Sequence, residues 1–210
     1  MKKYLQRLFV VAVIGIMCFS SMNIRAAAPQ NEAAYLEKYQ TIVQAMKTEM
    51  GNVLRTGDPA LDYLYQMIPH HQGAVNMAQN VLQYATNQKV KQMAQKMIKE
   101  QTDEIAEMKR LGEKIKTNSQ IYKAEEAAYG VEFMQFYEAM IDAMEAVKPT
   151  GDVDKDFLQG MMPHHEGSIN ISRSILRYTS NSEVRKLAEN IVKKQTDESK
   201  EMSKLVSQMK

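Results

Sequence analysis

Apolar residues recur at alternating steps of three and four positions through the long stretches of this chain. In residues 59–84 this spacing gives Leu64, Met67, His71, Ala74, Ala78 and Val81, and we call such a row of residues a seam. In residues 88–115 the same spacing gives Val90, Ala94, Met97, Gln101, Glu104, Met108, Leu111 and Ile115. Gln101 and Glu104 are polar residues at positions that the spacing predicts to be buried. That spacing is typical of a helix with one buried face. The pattern predicts two antiparallel helices joined by a turn at Ala85-Thr86-Asn87.

The same pattern returns 94 residues later. Between residues 67–115 and 161–209, 19 of 49 aligned positions are identical without a gap. The second seam consists of Val184, Ala188, Ile191, Gln195, Glu198, Met202, Leu205 and Met209. The offset also relates two predicted helices near 31–54 and 122–147. We expect an all-α fold in which hairpins 59–115 and 153–209 form a four-helix bundle with two flanking helices. Two separate three-helix domains are the alternative.

Residues 1–28 have the pattern of a secretory signal peptide. Lys2, Lys3 and Arg7 precede an apolar run from residue 8 to 19, and three alanines follow at 26–28. That run is short for a membrane span, although an uncleaved anchor is the alternative. We predict a signal peptide at 1–28 and a duplicated helical domain at 29–210. Repeat 1 covers about 31–115 and repeat 2 about 122–209.

Removal of this segment changes the charge and the possible ligands. Four of the 27 basic residues leave, so that 23 remain against 25 acidic residues. The exported part is therefore slightly acidic, which speaks against a nucleic-acid partner. Cys18, the single cysteine, leaves as well. Any metal must then be held by histidine, methionine or carboxylate. We also expect no membrane partner after the signal peptide is cleaved. The oligomeric state stays open.

All four histidines lie in two related pentapeptides. These are Met67-Ile68-Pro69-His70-His71 and Met161-Met162-Pro163-His164-His165. In a hairpin that turns near residues 86–87, His71 lies level with Gln101 and Glu104. A polar side chain that is buried without a partner costs several kcal/mol. We therefore expect the polar groups and thioethers of each hairpin to converge at one height.

The converging side chains suggest a duplicated site for a soft metal. The candidate ligands are Met67, His70, His71, Glu104, Met108, Met161, His164, His165, Glu198 and Met202, with Gln101 and Gln195 beside them. Thioether sulfur favours Cu(I) or Ag(I) over zinc or iron. A structural histidine–glutamate hydrogen bond is the alternative for each pair.

Other methionines and the lysines give weaker signals. The pairs Met46/Met50 and Met140/Met144 lie on single helix faces and fit either a second Cu(I) site or core packing. We expect core positions for Met93, Met97 and Met134. We expect solvated positions for Lys89, Lys91, Lys96 and Lys99.

The segments MIPHHQGA with QTDEIAEM, and MMPHHEGS with QTDESKEM, resemble the bacterial family called domain of unknown function 305. The resemblance covers both repeats. It implies a ferritin-like four-helix bundle, and some similar proteins are periplasmic copper binders linked to copper resistance. Ser168 and Ser199 depart from the alanine and isoleucine of the family pattern, and we expect this departure to loosen the second site.

These observations lead to a functional hypothesis. We expect an exported, periplasmic Cu(I)- or Ag(I)-binding protein, not an enzyme, that serves copper buffering, transfer or resistance. Its partners would be the metal ion and other periplasmic copper-handling proteins. A ferritin-like dinuclear metal oxidase and a helical interaction module without metal are the alternatives. Whether the repeats hold one metal each or share one is open.

Overall fold

The computed structural model describes residues 30–117 and 121–209. It contains α1 (Gln30–Gly51), α2 (Pro59–Val81), α3 (Gln88–Lys116), α4 (Lys123–Glu145), α5 (Val153–Ile175) and α6 (Ser182–Gln208). No strand occurs in these residues, so the expected all-α fold is confirmed. None of the described helices has the length and apolar character needed to cross a membrane. The signal peptide prediction falls on residues 1–28, outside the described residues.

Polar caps set the start of the bundle helices. The Asp58 side chain accepts a hydrogen bond from the Ala60 N–H at 2.9 Å and Asn87 accepts one from the Lys89 N–H at 2.9 Å. Such caps satisfy N–H groups that have no partner within the helix. Gly57 lies just before the first cap with φ of 87°, a conformation that glycine adopts without strain. Each cap recurs at the equivalent position of repeat 2.

The helices α1, α2 and α5 end about three residues before the ends near 54, 84 and 178 that the sequence pattern predicts. The first helix stops at Gly51, followed by Asn52, and both residues are weak helix formers. At the end of α2, the N–H groups of Tyr84 and Ala85 both bond to the carbonyl of Val81, which closes a tight turn. After α2 the apolar periodicity continues because Leu82 and Tyr84 still pack on the core, whereas Leu54 after α1 is 85% exposed. Periodicity therefore overestimates helix length here.

The two hairpins pack as one four-helix bundle. The Tyr63 and Ser172 hydroxyls lie 2.9 Å apart, and His164 Nε2 lies 3.0 Å from the carbonyl oxygen of His70. Residue numbers rise along α2 as they fall along α5, so these helices are antiparallel. Ion pairs connect α3 to α6 in the same antiparallel sense. The expected bundle is confirmed, and one continuous core spans both repeats, which replaces the two-domain alternative.

Helices α1 and α4 flank the bundle. α1 packs on α2 and α4 packs on α5. The flanking helices also contact each other, where the Tyr39 hydroxyl donates to the Met144 carbonyl at 3.0 Å. Met93 and Met97 are buried as expected. The core position predicted for Met134 is wrong, since this side chain is 44% exposed, one residue beyond the buried stripe that contains Phe133.

Candidate metal centre

The four histidines form one continuous row across the middle of the bundle. His70 and His164 face each other where α2 crosses α5, with ring centroids 3.8 Å apart. His71 and His165 lie outside them, at centroid distances of 5.6 Å from His70 and 5.9 Å from His164. All four side chains are completely buried. On each helix, the inner histidine therefore contacts the other repeat, and the outer histidine faces the second helix of its own hairpin.

A glutamate closes each end of the row. His71 Nε2 lies 3.0 Å from Glu104 Oε2, and His165 Nε2 lies 2.9 Å from Glu198 Oε2. This is the pairing that the hairpin geometry predicts. An ionised carboxylate only accepts hydrogen bonds, so Nε2 of each outer histidine carries the proton. The Nδ1 atom of a neutral ring is then left as an acceptor with a free lone pair.

Lysines from the opposite repeat cover the two glutamates. Lys194 Nζ donates to Glu104 Oε1 at 2.9 Å, and Lys96 Nζ donates to Glu198 Oε1 at 3.2 Å. Lys96 was expected to be solvated, which is wrong in part. Its side chain is 54% exposed, but its Nζ pairs with the buried Glu198. The sequence pattern could not show this, because the ion pair joins α3 to α6 and depends on the packing of the two hairpins.

Each end of the row carries an ionised carboxylate. Burial would raise the pKa of Glu104, but hydrogen bonds from His71 and Lys194 outweigh it and hold that pKa below the ordinary value. At the other end, burial is likewise outweighed by His165 and further hydrogen bonds, and the pKa of Glu198 falls to about 2. A second acid, Glu100, lies near Glu198. Both glutamates are therefore ionised at neutral pH.

Buried methionines occur on the same helices as the histidine row and on the helices that flank them. Met67, Met108, Met161 and Met202 are completely buried, and Met46, Met50, Met140 and Met144 are nearly so. Met67 precedes His71 by one helical turn and so lies on the same face of α2. The Met46 sulfur rests on Gly73, 2.6 Å from where a Cβ would stand, and Met140 packs on Gly167 in the same way. Glycine at these positions lets the sulfur approach the helix that carries the histidines.

Several buried polar atoms at this centre have no hydrogen-bond partner among the described residues. They are both ring nitrogens of His70, Nδ1 of His71, His164 and His165, Oε1 of Gln101, both amide atoms of Gln195, and the hydroxyl of Ser168. A buried polar atom without a partner costs about 1–3 kcal/mol. Burial, together with the neighbouring histidines, holds the pKa values of His70 and His164 well below the ordinary value. Both rings are therefore neutral, the form that binds metal ions.

The chemistry of this donor set is soft. Within residues 30–117 and 121–209, no three His, Cys, Asp or Glu side chains gather as ligands of one metal ion. A metal at this centre would therefore depend on methionine sulfur as well as imidazole nitrogen. The two glutamates lie at opposite ends of the row. They do not form the paired carboxylate site of a dinuclear oxidase.

A surface groove reaches one end of the row. It lies between α3 and α6, has a volume of about 450 Å³, and includes Met93, Lys96, Glu198 and Glu201 in its lining. Glu198 thus contacts the groove on one side and His165 on the other. The ion pair of Lys96 with Glu198 therefore lies between the groove and His165.

Fold and site together define a duplicated helical bundle with a row of buried histidines at its centre. Comparison with known proteins gives its family. The profile of the family described as domain of unknown function (DUF305) matches residues 22–112 and 60–206. The chain belongs to this family, as its motifs suggest.

Two individual proteins are similar to this chain. An uncharacterized protein of Acanthamoeba polyphaga mimivirus is 35% identical over 57 residues, which are 27% of this chain and 38% of the viral protein. The chain thus spans well under half the length of that relative. The crystal structure of a DUF305 fragment from Deinococcus radiodurans has a TM-score of 0.52 and 19% identity over 72% of this chain and 97% of that chain. This likeness shows a shared fold.

Proposed function

We propose that this protein binds Cu(I), or the chemically similar Ag(I), in the periplasm and serves copper buffering, transfer or resistance. The observation that carries the proposal is the set of buried ring nitrogens without hydrogen-bond partners, in a core that also contains buried methionines one helical turn from His71 and His165. Imidazole nitrogen and thioether sulfur are uncharged ligands that suit a soft monovalent ion. The function proposed is binding and not catalysis.

The arrangement of the outer histidines supports metal binding at Nδ1. His71 and His165 donate Nε2–H to Glu104 and Glu198. Histidines that bind metals commonly donate the other ring N–H to a carboxylate, which fixes the tautomer and the ring orientation. Glu104 and Glu198 are then orienting groups, since one oxygen of each binds histidine and the other binds lysine. This role differs from the direct ligation that the sequence motifs suggest.

The inner histidines would connect the two halves of the centre. His70 and His164 belong to different repeats, yet their rings are in contact. A metal held by Met67 and His71 would therefore lie close to one held by Met161 and His165. We propose one shared centre and not two independent sites. The copper itself supplies no reaction in this proposal, since it is the cargo of the protein.

A helical interaction module without metal accounts for part of the same geometry. It explains the contacts of His71 and His165 with the glutamates. It leaves the nitrogens of His70 and the Nδ1 atoms of the other rings unpaired in a core where such atoms are rare. Copper binding would use the lone-pair nitrogen of each ring, and we prefer it for that reason.

The test is metal retention after anaerobic incubation with excess Cu(I) and desalting, with Ag(I), Zn(II) and Fe(II) in parallel. We expect the protein to retain copper and silver. The variants His71→Ala/His165→Ala and Met67→Leu/Met161→Leu should each retain less than about a tenth as much, because each removes soft or nitrogen ligands from both repeats. Circular dichroism establishes that each variant is folded.

The matched control is Met77→Ile. Met77 is a buried methionine of α2 whose equivalent in repeat 2 is Ile171, so the exchange keeps the core apolar. We expect it to leave copper retention unchanged. Equal retention in all variants, or retention of iron alone by the unaltered protein, would overturn the proposal.

A further inference from the structure

Two buried acids connect the start of α1 to the start of α5. Glu32 lies in the first turn of α1 and Asp156 lies in the first turn of α5, and each residue is only 2% exposed. Their carboxyl groups are in hydrogen-bonding contact. Asp156 precedes His164 by eight residues, or about 12 Å of helix. The pair therefore joins the two repeats at a place away from the histidine row.

The loop between α4 and α5 holds one oxygen of each acid. The Gly151 N–H donates to Glu32 Oε1 at 2.6 Å. The N–H and the hydroxyl of Thr150 donate to Asp156 Oδ1 at 2.8 Å and 2.7 Å. These hydrogen bonds fix both carboxyl groups against the same two loop residues, so that α1 and α5 are connected through the loop as well as through the acids.

The other oxygen of Asp156, Oδ2, lacks a donor. It is buried, and no N–H or hydroxyl group of the described residues donates to it. An ionised carboxylate only accepts hydrogen bonds, so two ionised carboxylates cannot bond to each other. A protonated carboxyl group donates one O–H. One proton shared by Asp156 and Glu32 therefore supplies the missing donor.

No cation compensates the charge of this pair. The titratable groups that face Asp156 are Glu32, Tyr35 and Tyr39 of α1 and, across a cavity of about 290 Å³, Glu145 of α4. Burial raises the pKa values of both tyrosines, which are therefore neutral, and Glu145 pairs with Lys47. No lysine or arginine of the described residues lines the cavity. Burial and the contact with Glu32 raise the pKa of Asp156 to about 6.

The equivalent acids of repeat 1 have a cation. Asp62 of α2 contacts Glu126 of α4, and Arg55 forms an ion pair with Glu126. The residue equivalent to Arg55 in repeat 2 is Pro149, which has no charge. Two buried carboxylates repel each other unless a cation or a proton removes part of the charge. Repeat 1 uses a cation, and the same place in repeat 2 offers only a proton.

We propose that Glu32 and Asp156 form a proton-dependent clasp that holds the first turn of α1 against the loop at Thr150 and Gly151. At pH 5 the pair shares one proton, and the clasp is closed. At pH 7.5 the proton is lost, the two carboxylates repel each other, and the first turn of α1 separates from the loop. This inference is independent of copper, because neither acid belongs to the histidine row.

The sign of the pH dependence follows from the two states of Asp156. In the unfolded chain the pKa of an aspartate is about 3.9, whereas the pKa of Asp156 in the folded protein is raised to about 6. The shared proton therefore stabilises the fold fully below about pH 4, and this stability is lost as the pH rises through about 6. Between pH 5 and pH 7.5 the unfolding equilibrium constant should increase about tenfold through this group alone.

Amide hydrogen exchange at residues 30–40, expressed as protection factors at pH 5 and pH 7.5, tests the clasp. In the unaltered protein we expect protection to fall about tenfold at the higher pH. Asp156→Asn keeps the oxygen that accepts from Thr150 and adds an amide N–H that donates to Glu32 without a shared proton. We expect this variant to be equally protected at both pH values. In urea denaturation, the unfolding constant of the unaltered protein relative to this variant should rise about tenfold from pH 5 to pH 7.5.

The matched control is Asp62→Asn, which makes the same exchange in the pair that has Arg55. We expect residues 30–40 of this variant to keep the pH dependence of the unaltered protein. If Asp156→Asn does not fold, Glu32→Gln supplies the amide donor from the other side and has the same expected result. Protection of residues 30–40 that is equal at both pH values in the unaltered protein overturns the proposal. An undiminished fall in Asp156→Asn or Glu32→Gln overturns it as well, since another group would then titrate.

Discussion

The two repeats carry the same histidines and glutamates at the centre of the bundle and different side chains at its ends. At the crossing, His70, His71 and Glu104 recur unchanged as His164, His165 and Glu198. At the end of the flanking helices, Arg55 is matched by Pro149, and a cavity replaces an ion pair. A duplicated chain is free to lose side chains that serve only local packing. Both halves supply the unchanged centre.

The largest effects are expected at the unchanged centre. Glu104→Ala and Glu198→Ala each remove the acceptor of a buried histidine and the counter-charge of a lysine. Each should lower the free energy of unfolding by about 3 kcal/mol, as for other broken buried pairs. Urea denaturation measures this. The exposed Glu107→Ala is the control and should stay within about 0.5 kcal/mol of the unaltered protein. A difference of more than about 2 kcal/mol between the two glutamates would contradict an equivalent role.

An intermediate effect is expected beside the centre, where the repeats differ by a single hydrogen bond. Tyr63 and Ser172 form a buried hydroxyl pair, while the equivalent residues are Phe157 and Ala78. Tyr63→Phe should cost about 1–2 kcal/mol, because it leaves the Ser172 hydroxyl unpaired. Tyr63→Phe/Ser172→Ala makes both sides apolar and should recover most of that loss. Thermal unfolding of the single and double variants checks the order, and an equal or larger loss in the double variant would refute it.

The smallest effect is expected at the surface. Glu132 of α4 accepts hydrogen bonds from Ser174 and Tyr178 and pairs with the exposed Arg177. The equivalent of Arg177 is Gln83, which has no charge. Arg177→Ala should cost no more than about 1 kcal/mol, and high salt should reduce the difference further. Thermal melts at low and high salt, with Gln83→Ala as the control, measure it. A loss above about 2 kcal/mol would show that this pair is not a simple surface contact.

The sequence predicts the parts of this molecule that depend on a single hairpin. Periodicity gives six helices, and the turn at Asn87 sets the register that brings His71 to Glu104. Helix ends are less well predicted, because apolar side chains continue past Val81 into a turn that still packs on the core. The contact between His70 and His164 could not be predicted from the spacing. Spacing along a helix gives the direction of each side chain but not the helix that it meets.

Contacts between the repeats are the other part that the sequence does not reveal. Lys96 and Lys194 look like solvated lysines, and nothing in their spacing shows that they cover Glu198 and Glu104. The same holds for two acid pairs, Asp62 with Glu126 and Asp156 with Glu32, in which each aspartate meets a glutamate of the other repeat. Alignment of the repeats shows the replacement of Arg55 by Pro149. The alignment does not show that Pro149 lines a cavity, because the cavity forms only when the helices pack.

The covalent joining of the repeats has a consequence for the assembly of the centre. His70 needs His164, and each glutamate needs the lysine of the other half. Two free single repeats would have to meet in solution, so their combined site would depend on protein concentration. The tether replaces that encounter with an effective concentration set by the connecting segment, often in the millimolar range. A tandem chain can therefore complete its central histidine row at any dilution.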